Sequence, residues 1–106
     1  MQEITASELK ERIDSGDQFA LIDVRQPDEH SFACIDGSKL IPLGEILPRV
    51  GELDPTHDVV VYCKSGGRSS RAIAALLQAG YAGTLINLTG GITAWSNDVD
   101  PKIPKY

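Results

Sequence analysis

The sequence predicts an α/β fold, a mainly parallel sheet with helices on both of its faces. Three observations carry that prediction. Apolar runs of strand length alternate with segments of helical periodicity along the whole chain. Two of those runs, Phe19–Val24 and Val59–Tyr62, are almost unbroken in their apolar character, as strands covered on both faces require. No repeat or linker interrupts the alternation, and 106 residues suffice for one domain with its own core. Residues 1–106 are therefore read as a single domain whose parallel strands are joined by right-handed crossovers.

Taken in order, Thr5-Ala6-Ser7-Glu8 opens a first helix, with Thr5 as N-cap and Glu8 closing a capping box. Leu9 and Ile13 give it a short apolar face, and Ser15-Gly16-Asp17 stops it. The Phe19–Val24 strand leads into Arg25-Gln26-Pro27-Asp28-Glu29-His30, where Pro27 suits a first helical position. Ile35–Ser38 reads as a turn and Lys39–Ile41 as a short strand halted by Pro42. Leu43–Val50 has room for one or two helical turns, and Leu53–Asp58 is a turn-rich approach to the Val59 strand. A helix follows, capped by Ser69 or Ser70 and apolar at Ile73, Leu76 and Leu77. Thr84–Leu88 is a further strand, Gly90–Trp95 turns into a last helix, and DVDPKIPKY is too polar and proline-rich to prolong it.

The segment between the Val59 strand and its helix, Cys63-Lys64-Ser65-Gly66-Gly67-Arg68, is the candidate binding loop. Paired glycines permit backbone turns that a Cβ opposes. Successive amides can then face inward as a nest for negative charge, reinforced by the first helical turn. Cys63 stands at the mouth of that nest, at the carboxyl end of a strand where ligands of parallel sheets collect. A thiol there ionises more readily than a free cysteine. Asp23 with Arg25, and Thr89 with Gly90, close other strands on the same edge.

Composition narrows the function classes. A net charge of −5 argues against a nucleic-acid footprint, although Lys64, Arg68 and Arg71 gather near one loop. No apolar stretch is long enough to span a membrane, and MQEITASELKER lacks a signal-peptide pattern, so a reducing, cytoplasmic setting is expected. Two cysteines, Cys34 and Cys63, are too few for a disulfide scaffold and are read as free thiols. His30 and Cys34 lie four apart, but two ligands do not make a zinc site, and no metal or cofactor is expected.

LIDVR at Leu21–Arg25, Pro27 and Glu29, Ile35-Asp36-Gly37-Ser38 before Leu40-Ile41-Pro42-Leu43, VVYCKSGGRS at Val60–Ser69 and LTGGITAW at Leu88–Trp95 together resemble the rhodanese domain. Four separated segments in the right order cover nearly the whole chain. CKSGGRS and DVDPKIPKY are further similar to the rhodanese domain at the C-terminus of adenylyltransferases, which supply sulfur to molybdenum-cofactor synthesis, thiamine synthesis or transfer-RNA thiolation. The resemblance implies a three-layer fold on a parallel five-stranded sheet. It also implies catalysis by Cys63, with the loop Cys63–Arg68 as pocket floor and the only covalent group a persulfide on Cys63. Asp36-Gly37 stands where the family often has proline-glycine.

The residues themselves sustain that chemistry. Cys63 thiolate would attack the outer sulfur of an anionic donor such as thiosulfate, and the Ser65–Ser69 amides would steady the persulfide. Lys64 and Arg68 would orient the donor's sulfonate, arginine's rigid fork suiting it better. A second thiolate, cyanide or a carrier protein would then remove the sulfur. The partners expected are a small anionic donor and a protein donor or acceptor, either an adenylyltransferase or a ubiquitin-like sulfur carrier. Asp23 is expected to be a structural partner, and Arg25 either answers it or lines the pocket. Two alternatives use the same residues. One is a carrier or docking module with little activity alone. The other is a cysteine phosphatase or arsenate reductase, disfavoured because four residues instead of five separate Cys63 from Arg68.

Overall fold

A computed structural model describes residues 1–106. Its single sheet contains five parallel strands in the order β1-β5-β4-β2-β3. These are β1 (Gln2–Ile4), β2 (Phe19–Asp23), β3 (Lys39–Leu40), β4 (Asp58–Tyr62) and β5 (Leu85–Leu88). Four α-helices intervene: α1 (Ala6–Asp14), α2 (Pro27–Phe32), α3 (Gly67–Gln78) and α4 (Gly91–Asp98). No helix is long and apolar enough to cross a membrane.

Alternation along β4 distributes the core. Val59, Val61 and Cys63 face one side, where Ala72, Ile73 and Leu76 of α3 pack with Ile22, Ile41, Ile46 and Leu53. Val60 and Tyr62 face the other, against Leu9 of α1 and Ile92 and Trp95 of α4. Each fully buried aliphatic side chain stabilises the fold by roughly 1.5–3 kcal/mol. The central strand thus carries apolar residues on both faces, which is why it reads as a continuous run.

The capping box forms as expected, with the Glu8 amide donating to Thr5 Oγ1 at 3.1 Å and the Thr5 amide to Glu8 Oε1 at 2.9 Å. Pro27 does take the first position of α2. Four details differ from the sequence reading. β1 was not anticipated, because only Ile4 of its three residues is buried and its pairing partner, β5, lies over 80 residues away. Leu43–Val50 holds one 3-10 turn, Leu43–Glu45, and the second, Val50–Glu52, begins only at its last residue. Leu77 is exposed, and the buried stripe of α3 is instead Ser69, Ala72, Ile73 and Leu76. Finally, α3 begins at Gly67 with Gly66 as its N-cap, so neither Ser69 nor Ser70 caps it. Gly66 has φ +115°, a backbone state that glycine alone adopts without strain.

β4 is the central strand and lies beside β2, and the chain leaves these two neighbours in opposite directions, from β2 to the edge strand β3 and from β4 to β5. The carboxyl end of β4 therefore lies at the point where a parallel sheet opens a crevice. Cys63 is the residue that follows it.

Candidate active site

The early start of α3 shortens the irregular loop to Cys63–Gly66 and turns Gly67, Arg68 and Ser69 into the first helical turn. Its amides have no carbonyl partners within the helix. The loop is held in shape from behind by α4. Ile92 and Thr93 donate their amides to the carbonyls of Cys63 and Lys64 at 2.9 and 3.1 Å. With those carbonyls drawn outward, the following amides turn inward. Gly91 makes the approach possible, since a Cβ there would collide with the same two carbonyl oxygens, and its φ is +56°.

Cys63 Sγ points into this ring. The Gly66 amide donates to it at 3.1 Å, and Ser69 Oγ lies 3.4 Å away. Burial pushes the thiol pKa up, but the Ser69 hydroxyl and the amides of Ser69, Gly66 and Ser65 outweigh it, leaving the thiol below its ordinary value. Cys63 is only 1% exposed, so the sulfur faces its donors from beneath a nearly closed surface.

Ser69 is shared. Its hydroxyl oxygen is 2.6 Å from Asn87 Oδ1 and 3.1 Å from the Gly66 carbonyl, while Asn87 Nδ2 reaches that carbonyl at 3.4 Å. One hydroxyl proton cannot serve the sulfur, Asn87 and the carbonyl together, so ionisation of the thiol and rotation of the Ser69 hydroxyl are linked. Asn87 was not singled out from the sequence for this site. The available signal was a lone amide in the buried run Leu85–Leu88, where a polar group requires a partner.

The other predicted residues divide into two groups. Asp23 and Arg25, both wholly buried, pair with each other. Arg25 donates to Asp23 from Nε at 2.9 Å, from Nη2 at 2.8 Å and from its backbone amide at 3.0 Å. A further bond from Nη2 reaches the Ala33 carbonyl, and His30 Nδ1 lies 2.8 Å from the same carboxylate. Of the two readings left open for Arg25, the geometry selects the one in which it answers Asp23. His30 faces Asp23, and no group of side chains suited to hold a metal is present.

Arg68 and Lys64 form the second group, and neither points freely into the loop. Arg68 Nη1 and Nη2 donate to the two oxygens of Glu29 at 2.6 and 2.9 Å. Lys64 Nζ sits 4.6 Å from the centre of the Tyr106 ring. Tyr106 Oη in turn donates to Glu29 at 2.6 Å and accepts from Arg25 Nη1 at 2.8 Å. Arg68, foremost among several hydrogen-bond donors, holds the Glu29 carboxyl at a pKa of about 2. Tyr106 escaped the sequence reading, as nothing local ties a tyrosine in a polar tail to a loop some forty residues earlier. Cys34 is half-buried and lines a different hollow, with Lys10, Ile13 and Trp95, that contains no loop residue.

A parallel α/β sheet with a thiol set in an amide-lined loop beyond its central strand defines the class of loop-cysteine proteins. Within that class the chain belongs to the rhodanese-like domain family, whose pattern matches residues 5–98. It is 42% identical over 105 residues to the probable adenylyltransferase/sulfurtransferase MoeZ of Mycobacterium tuberculosis, a match covering 97% of this chain and 26% of that protein. The chain thus spans about a quarter of that relative. Identity to a sulfurtransferase of Allochromatium vinosum is 38%, over 91% of this chain and 89% of that protein. The fold matches that of a thiosulfate sulfurtransferase from Pseudomonas aeruginosa with a TM-score of 0.88 at 27% identity, over 99% of this chain and 20% of that one.

Proposed function

We propose that residues 1–106 act as one sulfurtransferase domain that carries sulfane sulfur as a persulfide on Cys63. The observation that carries this reading is the Gly66 amide donating to Cys63 Sγ at 3.1 Å within a ring that lowers the thiol pKa. With thiosulfate as donor, the Cys63 thiolate attacks the outer sulfur, a new S–S bond forms, and sulfite leaves with the electron pair of the old one. The persulfide anion then occupies the direction in which the Ser65, Gly66 and Ser69 amides converge. A thiolate or cyanide takes the terminal sulfur and returns Cys63 as thiolate. Each half-reaction conserves charge, and together they give ping-pong kinetics. Asp23 and Arg25 brace His30, the Ala33 carbonyl and Tyr106, and do not touch the donor.

Membership of the family and likeness to an adenylyltransferase/sulfurtransferase support a protein partner, either an adenylyltransferase or a ubiquitin-like carrier. Two free thiols suit a reducing cytoplasm. The test is intact-mass analysis after incubation with thiosulfate, followed by a thiosulfate:cyanide assay. One added sulfur atom located at Cys63, and turnover abolished in Cys63→Ser, are expected. An unmodified protein, sulfur on Cys34, or wild-type turnover by the variant would defeat the reading.

A further inference from the structure

Both cations of the loop are already engaged. Glu29 takes Arg68 in a two-pronged pair, the Tyr106 ring takes Lys64, and the Tyr106 hydroxyl joins the two acceptors into one unit. The unit is anchored inward through Arg25, whose own charge is balanced by Asp23. An anion approaching the loop therefore meets a neutralised guanidinium and a carboxylate beside it. A dianion is penalised by that carboxylate twice as strongly as a monoanion.

Resting on the reading of Cys63 as a persulfide carrier, we propose that Glu29, positioned by Tyr106, sets the charge of the donor the site accepts. Singly charged persulfides, R–S–S⁻, are favoured over dianionic thiosulfate. In the favoured step Cys63 Sγ attacks the donor's terminal sulfur, the donor's S–S bond breaks, and R–S⁻ departs with the electron pair. Charge is the same on both sides. Glu29 acts by its own charge and by engaging Arg68, and Tyr106 is a positioning residue that holds Glu29 and Lys64.

The test compares donor kcat/KM for thiosulfate with that for a benzenethiosulfonate monoanion in wild type, Glu29→Gln, Glu29→Asp and Tyr106→Phe. Glutamine keeps the side-chain shape and removes the charge. The thiosulfate-to-thiosulfonate ratio is expected to rise about fivefold in Glu29→Gln, through a lower KM for thiosulfate at similar kcat. It should return toward wild type in Glu29→Asp and rise about twofold in Tyr106→Phe, where the ring stays beneath Lys64. A merely structural role would slow both donors alike. An unchanged ratio in Glu29→Gln, with the Cys63 mass adduct still forming, overturns this inference and leaves the persulfide reading standing. Absence of the adduct in the wild-type protein overturns both.

Discussion

Two guanidinium–carboxylate pairs lie side by side in this protein, joined through one tyrosine hydroxyl, and their surroundings make them different devices. The inner pair, Asp23–Arg25, has both side chains at 0% exposure. Its members are two residues apart and are locked by a backbone amide, the Ala33 carbonyl and His30. The outer pair, Glu29–Arg68, is 16% and 31% exposed and joins α2 to α3 across 39 residues of chain. Burial makes the inner pair a brace, because either charge alone would be stranded without solvent. Partial hydration and long chain separation make the outer one adjustable. Identical chemistry therefore makes a fixed, dry brace in one place and a half-hydrated link between two helices in the other.

The largest expected effect breaks the inner pair. Asp23→Ala should lose about 3–5 kcal/mol in urea denaturation, because Arg25 is left buried with its charge uncompensated. A loss below about 1 kcal/mol would erase the contrast between the pairs. Removing the outer carboxylate as Glu29→Ala should cost about 1 kcal/mol, in the range of solvent-touching ion pairs, with the fold retained by circular dichroism.

Acid sharpens the comparison further. The Glu29 carboxyl titrates near 2 in the folded chain against an ordinary value of 4.5, so the folded state binds fewer protons than the unfolded one between those limits. Its contribution is present in full above about pH 4.5 and is lost as pH falls through about 2. The stability gap between wild type and Glu29→Gln should accordingly narrow over that window, and a gap constant down to about pH 2 would contradict the assignment. Smallest of all is the salt response. Raising ionic strength to about 1 M should shrink the Glu29→Ala difference by a few tenths of a kcal/mol and leave the Asp23→Ala difference unmoved.

Much of the site was legible because its signals are local. Cys63 before paired glycines, at the end of an apolar run, announces a strand, a turn and a helix within a dozen residues. Serine is the usual cap and points to Ser69 or Ser70, whereas Gly66 at φ +115° caps the helix three residues before Ser69, so that α3 begins at Gly67. Asn87 and Tyr106 stayed hidden for a different reason. Each reaches its partner only after distant strands or helices have packed, so neither leaves a periodic trace.

By itself the sequence determined the alternation of strands and helices, the two-faced burial of the central strand and the thiol's place at its carboxyl end. These depend on hydrophobic period and turn chemistry, which act over a few residues. Only the tertiary structure decided which charges meet. Arg25 could have faced the pocket but went to Asp23, and Arg68 and Lys64 could have faced a donor but went to Glu29 and Tyr106. A charged side chain takes whichever partner the packed elements bring within reach, and Tyr106 meets Glu29 from 77 residues away.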